Sequence, residues 1–159
     1  SNYLDWFDTI HWSERPLRKD WSHLQSDDKA VSYVWSTEHE YAGCPDLIGE
    51  IGGVSVIADF KTSTGPYRNS FPDRGDRMGF GGFRKYQKCA QQLAAYRYAL
   101  NERVGYKCDV ALIIVSTPET SQGIFIDGDQ MDLYESRFLK RAQMFHALEG
   151  SDETEGCGQ

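Results

Sequence analysis

The chain has 159 residues and a formal net charge of −7, with 40% hydrophobic and 13% aromatic residues. This length suffices for one domain with a sizeable core, and the composition is typical of globular rather than disordered proteins. No apolar run approaches the roughly 20 residues that a membrane-spanning helix requires, and no signal-peptide pattern opens the chain. The acidic charge disfavours nucleic-acid binding through the whole surface, so such binding would need a locally basic segment.

Four cysteines are scattered along the chain without a CxxC pair, at positions 44, 89, 108 and 157. Structural zinc and iron–sulfur sites use closely spaced ligands, so the pattern favours reduced thiols over a metal cluster or a disulfide framework. We therefore expect an intracellular protein with no membrane partner.

The first half of the chain predicts an irregular start and three strands. Residues 1–30 predict an irregular segment with a short helix around Leu4–Ile10, interrupted by Pro16. A strand is expected from Ala30 to Tyr41, where Val, Tyr and Trp are frequent. Two strands joined at Gly52-Gly53 follow, because a Gly-Gly pair between alternating apolar runs is typical of a two-residue hairpin.

The second half predicts a long loop, two helices and two strands. Residues 62–84 contain five glycines and two prolines, which indicates a long loop of functional importance. A helix is expected from Tyr86 to Val104, ending at Gly105. The apolar run 107–117 predicts a buried central strand.

A shorter strand is expected over residues 123–126, followed by a last helix. Asp129 is the N-cap candidate of that helix, and the apolar positions are Leu133, Phe138, Phe145 and Leu148. The helix is expected to end near Glu149, which leaves residues 150–159 as an acidic tail.

This element order predicts an α/β fold class, with a mixed central sheet flanked by helices in a single domain over residues 1–149 (core 31–149). The helix before the 107–117 strand is the crossover that parallel pairing requires. Alternation divides the hairpin into two faces. One face is predicted to be the core face and holds Leu47, Ile51, Val54, Val56, Ala58 and Phe60. The other holds Asp46, Ile48, Glu50, Ser55, Ile57, Asp59 and Lys61.

The two-residue turn places Asp46 directly opposite Asp59, with Lys61 nearby on the same face. Two carboxylates about 5 Å apart repel each other unless a positive group lies between them. Lys61 could neutralise one of them, as in an ordinary surface ion pair. A divalent cation could also remove the repulsion, and hard oxygen ligands, including the Phe60 carbonyl, suit Mg²⁺ or Mn²⁺. Lys61 could then orient or deprotonate an attacking water and stabilise charge on a phosphate, as in metal-assisted phosphodiester hydrolysis.

Pro45-Asp46 followed by Asp59-Phe60-Lys61 resembles the PD-(D/E)XK nuclease motif. The segments 41–46 and 59–63, together with Gln92-Leu-Ala-Ala-Tyr96, resemble the RecB-like exonuclease branch of that superfamily, which has mitochondrial, phage and bacterial members. The resemblance covers roughly residues 38–149. It implies a restriction-endonuclease-like core and a magnesium-dependent exonuclease acting on DNA, either single-stranded or at DNA ends. The expected setting is phage or bacterial recombination, repair or genome processing, in a bacterial cytoplasm or a phage-infected host.

The resemblance also implies roles for individual residues. Asp46 and Asp59 would bind the metal ion, Lys61 would be the catalytic lysine, and Gln92 and Tyr96 would form the helix motif. These last two lie one turn apart on one helix face. Gln91 would replace Gln92 if the helix were rotated.

Family members usually carry an earlier helix with a His or Glu that completes the metal site. The first 30 residues offer only His11 and His23, with no clear motif around either. Glu38 or Glu40, which would share a strand face before the hairpin, could supply this ligand instead. A solvated strand face is the alternative interpretation of these two residues.

The long loop interleaves arginine with aromatic side chains, which suits holding a single nucleic-acid strand by charge and base stacking. The alternative is a flexible connection that binds nothing. The candidate nucleic-acid-binding residues are Thr62, Ser63, Arg68, Arg74, Arg77, Arg84 and Lys85. For the whole chain, the alternative functions are an endonuclease on the same scaffold and a catalytically inactive module that binds DNA ends.

Overall fold

A computed structural model describes residues 9–13 and 33–152 of the chain. The described residues form seven strands and two helices. In chain order these are β1 Thr9–Ser13, β2 Val34–Ser36, β3 Tyr41–Gly43, β4 Leu47–Ile51, β5 Val54–Thr62, α1 Arg77–Val104, β6 Val110–Ser116, β7 Ser121–Ile126 and α2 Gly128–Asp152.

Five of the strands form one mixed sheet in the order β1-β4-β5-β6-β7. β5 and β6 are parallel, and α1 is the crossover between them, whereas the other neighbours in this sheet are antiparallel. β2 and β3 form a separate antiparallel hairpin. The predicted α/β class with a mixed sheet and helices is confirmed.

The hairpin of β4 and β5 has the predicted register. Ile51 pairs with Val54 and Leu47 with Ala58, so partners sum to 105 along the whole ladder. Gly52 and Gly53 have φ angles of 57° and 77°. A tight turn with positive φ at both central residues matches the twist of the flanking strands, and glycine adopts it without a steric penalty.

The main core lies on the hairpin face that the sequence assigned to the polar residues. Ile48 and Ile57 belong to a large buried cluster that includes residues of both helices, such as Leu93 and Met131. The predicted core face carries a smaller buried cluster of Leu47, Val56, Ala58, Leu112 and Ile114. On that face Val54 and Phe60 are exposed, at 41% and 38%.

The prediction of the core face was therefore wrong for a physical reason. The sheet is apolar on both faces around β4 to β6. The alternation of side chains therefore assigns each residue to one of two faces but does not indicate which face the helices cover. Because α1 and α2 cover the Ile57 face, Asp59 and Lys61 lie beneath helices rather than on an open surface.

The first helix begins well before its predicted start. α1 starts at Arg77, where the Asp76 side chain accepts a hydrogen bond from the Gly79 N–H at 2.8 Å. Three glycines in its first turns disfavour helix from local propensity alone. Gly82 has a packing reason, because a Cβ there would lie 2.6 Å from the Pro66 carbonyl oxygen. The helix ends at Gly105 in a left-handed conformation (φ 67°), as predicted.

Two predictions about the N-terminal third are corrected. The strand expected from residue 30 to 41 is instead β2 and β3, joined by a turn at residues 37–40 that contains Glu38 and Glu40. Residues 9–13 form strand β1, which pairs with β4, so the end of the predicted short helix at Ile10 is a strand instead. The predictions for residues 1–8, 14–32 and 153–159, including those for His23 and Cys157, lie outside the described part of the chain.

The second helix begins at Gly128, and its capping residue lies two positions before the predicted N-cap Asp129. The Asp127 side chain accepts a hydrogen bond from the Gln130 N–H at 2.8 Å, and its carbonyl accepts from the Met131 N–H. The helix continues to Asp152, so it includes the first residues of the predicted tail. Of its predicted apolar face, Phe138 packs edge-on against Tyr41, but three members are at least half exposed: Leu133, Phe145 and Leu148.

The described cysteines Cys44, Cys89 and Cys108 are free thiols, in line with the expectation of no disulfide among them. Within residues 33–152, neither helix is apolar enough over its length to cross a bilayer.

Replacing the capping residue of α2 should cost stability. We expect Asp127→Ala to lower the free energy of unfolding by about 1 kcal/mol, because the first turn loses its side-chain acceptor. Asp129→Ala is the matched control; in 0.5 M salt, which screens the helix dipole, it should cost less than half as much. Urea denaturation of both variants measures this, and equal losses would contradict the assignment of Asp127 as the cap.

Candidate active site

The centre of the site is an ion pair on β5. Because side chains alternate along a strand, Asp59 and Lys61 point to the same core-facing side of β5 as Ile57. Asp59 is only 3% exposed, and the Lys61 Nζ lies 2.5 Å from the Asp59 Oδ2. A nearly buried carboxylate is stable only with charged or hydrogen-bonding partners, and Lys61 is one of them.

Asp46 lies immediately before β4 and reaches the same point. Its Oδ2 accepts a hydrogen bond from the Phe60 N–H at 2.7 Å, and its carboxyl group is close enough to that of Asp59 to interact with it. Because the N–H and C=O of one strand residue point to the same side, the Phe60 carbonyl also faces the Asp46 side of β5. The structure therefore brings together the three predicted metal ligands of the hairpin.

Two carboxyl groups in contact cannot both be ionised without cost. Burial, followed by the hydrogen bond to Asp59 and the charge of Asp59, raises the pKa of Asp46 to about 6. The Phe60 N–H and Lys61 oppose this rise only in part. Near neutral pH this part of the site therefore holds excess negative charge that a cation would relieve.

Lys61 is charged in this arrangement. Burial acts to lower the pKa of Lys61, but the hydrogen bond to Asp59 and the Asp59 charge more than offset it, and the pKa is raised. The amine therefore stays protonated at neutral pH. In this state it can donate hydrogen bonds and stabilise negative charge, but it cannot accept a proton. Of the two roles expected from the sequence, orienting a water remains open to Lys61, whereas deprotonating it does not.

Helix α1 supplies the next side chains. The Cys89 thiol donates to the Asp59 Oδ2 at 3.2 Å, and burial raises the pKa of this thiol, so it stays neutral. One turn further, the Gln92 Nε2 donates to the Tyr96 hydroxyl at 2.6 Å. The predicted Gln92 and Tyr96 pair thus lies on the helix face that covers the carboxylates.

Tyr96 occupies its place because residue 43 has no side chain. A Cβ on Gly43 would overlap the Tyr96 ring. The Tyr96 hydroxyl also interacts with the Cys44 backbone, next to Pro45-Asp46 in the chain. The Tyr41 hydroxyl donates to the Ala95 carbonyl at 2.7 Å, which connects β3 to α1 next to Tyr96 in the chain.

Lys61, Cys89, Gln92 and Tyr96 border a cleft of about 750 Å³ between α1, α2 and the hairpins, which we call the active cleft; Asp46 and Asp59 lie behind Lys61 and are not among its lining residues. Its walls include several side chains that the sequence did not single out as site residues: Tyr41, Tyr67, Lys88, Cys89, Phe138 and Arg141. Lys88 and Cys89 lie four and three residues before Gln92, so helical spacing from the Gln-x-x-x-Tyr motif could have found them. Arg141 comes from the distant α2, and no local pattern indicates it.

Gln91, the alternative to Gln92, has a different partner. Its Oε1 accepts a hydrogen bond from the Arg141 NH1 at 2.7 Å, and this pair connects α1 with α2 at the rim of the cleft. The helix therefore has the predicted rotation, with Gln92 towards Tyr96.

The candidate nucleic-acid-binding residues divide into two groups. Thr62, Ser63 and Lys85 lie together at the end of β5, where the Lys85 Nζ donates to the Ser63 Oγ at 3.0 Å. Arg68 and Arg77 border a smaller pocket of about 220 Å³ beside Lys85, and Arg68 pairs with Asp76 at 3.1 Å. Two members, Arg74 and Arg84, are exposed and do not line these clefts.

The structure does not bring Glu38 or Glu40 to the aspartates. Glu38 accepts a hydrogen bond from the Tyr98 hydroxyl at 2.8 Å, and Glu40 lies 3.7 Å from His146. Among residues 33–152, no three His, Cys, Asp or Glu side chains are grouped to hold a metal ion. The described residues therefore offer only two carboxylates and the Phe60 carbonyl as candidate ligands.

The comparisons with known proteins leave the family open. No model of a protein family matches the chain, and no curated protein matches it. The solved structure of SSO0001 is similar at 17% identity with a TM-score of 0.36, over 65% of this chain and 40% of SSO0001. A likeness at that level decides neither fold nor function.

The raised pKa of Asp46 predicts a pH dependence of stability without metal. Between pH 4 and 6 the folded protein keeps a proton that the unfolded chain releases, so its free energy of unfolding should fall as pH rises. Asp46→Asn removes this titration. Between pH 4 and 6 the free energy of unfolding of the wild type should therefore fall by about 1 kcal/mol more than that of the variant, allowing for partial exposure. Urea denaturation in EDTA at several pH values measures it; parallel curves for the two proteins would contradict the assignment.

Proposed function

We propose that this chain is a divalent-metal-dependent deoxyribonuclease of the RecB-like PD-(D/E)XK type, acting as an exonuclease. The observation that carries the proposal is the proximity of Asp46 and Asp59 to each other and to a protonated Lys61, which borders the cleft that Gln92 and Tyr96 also line. All five motif residues converge although they come from a hairpin and from the middle of α1. In this proposal the enzyme acts in phage or bacterial recombination, repair or genome processing.

The donor set at the carboxylates fits Mg²⁺ or Mn²⁺. Hard oxygen ligands suit these ions, and because burial and then the neighbouring Asp59 raise the pKa of Asp46, a cation bound there would favour its ionised form. Asp46, Asp59 and the Phe60 carbonyl would hold the ion, and water can complete the coordination of Mg²⁺. When bound, a divalent ion supplies Lewis-acid stabilisation of the charge that develops on the phosphate.

The residues of the chain then have separate tasks. The charged Lys61 amine stabilises negative charge on the phosphate and orients a nearby water. The Cys89 thiol holds the Asp59 Oδ2, which fixes the carboxylate in one position. Gln92 and Tyr96 line the same cleft and offer amide and hydroxyl groups to a sugar-phosphate backbone.

One observation favours the second candidate, an inactive module that binds DNA ends. Among the described residues only two carboxylates meet, and Asp59 is already neutralised by Lys61 and held by Cys89. A site of this kind could hold nucleic acid in the same cleft without cleaving it. Catalysis and binding must therefore be measured separately.

A nuclease assay tests the proposal. With Mg²⁺ we expect degradation of linear single-stranded DNA but not of circles, and Lys61→Ala should lower the rate at least about 100-fold because it removes the charge beside the phosphate. Lys140→Ala, a matched loss of charge on the exposed side of α2, should retain the wild-type rate. Cleavage of circles would indicate an endonuclease, and binding without cleavage in Mg²⁺ or Mn²⁺ would indicate the inactive module.

Metal binding should stabilise the fold independently of activity. At about 100 times its dissociation constant, Mg²⁺ should raise the melting temperature by roughly 5 °C, because it binds the folded state only. Asp59→Asn should remove most of this gain, whereas Asp73→Asn, in the loop before α1, should keep it. A melting curve that does not change with millimolar Mg²⁺ or Mn²⁺ would contradict the metal site.

A further inference from the structure

A second pocket opens beside the active cleft, at the carboxyl ends of the two parallel strands. It has a volume of about 580 Å³ and is lined by five hydroxyl-bearing residues, one lysine and one proline: Thr62, Ser63, Thr64, Lys85, Ser116, Thr117 and Pro118. We call it the hydroxyl pocket. Thr62 and Lys85 border both this pocket and the active cleft, so the two spaces adjoin.

The backbone fixes the two walls of the hydroxyl pocket relative to each other. Thr62 and Ser116 are partners in the parallel ladder of β5 and β6, and the Ser63 N–H donates to the Ser116 carbonyl at 2.9 Å. Thr117 is held by a short turn, in which its hydroxyl and N–H both donate to the Thr120 carbonyl. In open α/β sheets this edge, beyond the carboxyl ends of the strands, is where ligands bind.

The charge of the hydroxyl pocket is positive. Lys85 is its charged residue, and none of its lining residues is acidic. Lys85 also borders the smaller pocket that contains Arg68 and Arg77, which carries no acidic lining residue either. In a chain with a net charge of −7, this is a local site where an anion is attracted rather than repelled.

The contacts of the lysine leave it able to bind such an anion. The Lys85 Nζ donates one hydrogen bond to the Ser63 Oγ, while an ammonium group has three donors. Ser63 accepts that bond and a longer one from the Gly65 N–H at 3.4 Å, so its own hydroxyl proton is not used by them. Threonine and serine hydroxyls together with an ammonium group are common ligands of phosphate oxygens.

We propose that the hydroxyl pocket is a phosphate subsite, which holds a phosphate group of the nucleic-acid strand next to the one that is cleaved. The inference rests on the proposed function, since it assigns a second contact to the same substrate. Ser63 directly follows β5 and lies two residues after Lys61, which corresponds to roughly 7 Å along an extended chain. A strand that enters the active cleft at Lys61 therefore reaches Lys85 with a neighbouring phosphate, either a terminal monoester or an internal diester.

Binding measurements without cleavage test this subsite. The probe is a short fluorescent single-stranded oligonucleotide in EDTA, and its binding constant is measured by anisotropy at several salt concentrations. Lys85→Gln should weaken binding about tenfold at low salt. It should also make the slope of log K against log salt less negative by about 0.7, the value for one phosphate contact on a single strand. Lys140→Gln, the same change of charge on α2, should leave the slope unchanged.

Neutral linkages in the oligonucleotide locate the contact. A single methylphosphonate is placed at each linkage in turn, and in parallel the strand carries a 5′-phosphate, a 3′-phosphate or hydroxyl ends. In the wild type, neutralising one internal linkage or removing one terminal phosphate should weaken binding about tenfold. In Lys85→Gln the same modification should not weaken binding further. An internal position identifies a diester ligand, and an end-group effect identifies a monoester.

Ser116→Ala and Thr62→Val test the hydroxyl wall without changing charge. Each should weaken binding a few-fold at the same linkage, with the salt slope of the wild type. If Lys85→Gln keeps the wild-type slope and the same losses at every linkage, its contact with Ser63 is only structural and the subsite is refuted. If the wild type binds no oligonucleotide, the proposed function fails with it, whereas failure of the Lys85 and hydroxyl variants alone refutes only the subsite.

Discussion

The site depends on one electrostatic constraint: a hairpin holds two carboxyl groups in contact on the face of the sheet that the helices cover. The Gly52-Gly53 turn fixes the register, and the register puts Asp46 beside Asp59. Asp59 points to the same helix-covered side of β5 as Ile57 and is therefore shielded from water. Its electrostatic interactions are stronger there than on an open surface. The raised pKa of Asp46 and the charged state of Lys61 both follow from this placement.

Helix α1 connects this pair to the rest of the cleft. The face of α1 towards the sheet carries Lys85, Cys89, Gln92 and Tyr96, at spacings of four, three and four residues. The stripe is about 16 Å long, at 1.5 Å per residue. Within it Lys85 contacts the end of β5, Cys89 contacts Asp59, and Tyr96 lies against β3. One rigid helix thus sets the distances between all of these groups, whereas a loop could not hold them so well.

The sequence predicted those parts of the structure that local chemistry determines. The glycine pair specified the turn, the register and the meeting of Asp46 with Asp59, and Gly105 specified the end of α1. The main core face was missed because both faces of the central strands are apolar. The start of α1 was missed because its glycines favour a loop locally, while the Asp76 cap and the packing of Gly82 on Pro66 stabilise a helix.

The same distinction holds for the site. Asp46, Asp59, Lys61, Gln92 and Tyr96 were named from motif and spacing, and the structure brings them together. Arg141 and the hydroxyls of β6 could not be found in this way, because they reach the site only through the packing of α2 and the parallel pairing of β5 with β6. Long-range pairing leaves no periodic signal in the chain. Glu38 and Glu40 show the converse case, since a turn replaced the expected strand and directed them to Tyr98 and His146.

The close approach of Gly43 to Tyr96 has a consequence for how this fold can vary. The aromatic ring fills the volume that a side chain at position 43 would occupy, so the sizes of these two residues are coupled across 53 positions of the chain. A larger residue at 43 would be accommodated only with a smaller one at 96, and the phenol that partners Gln92 would then be lost. Variants that keep Tyr96 must therefore also keep glycine at position 43 of β3, whichever residues occupy the rest of that hairpin.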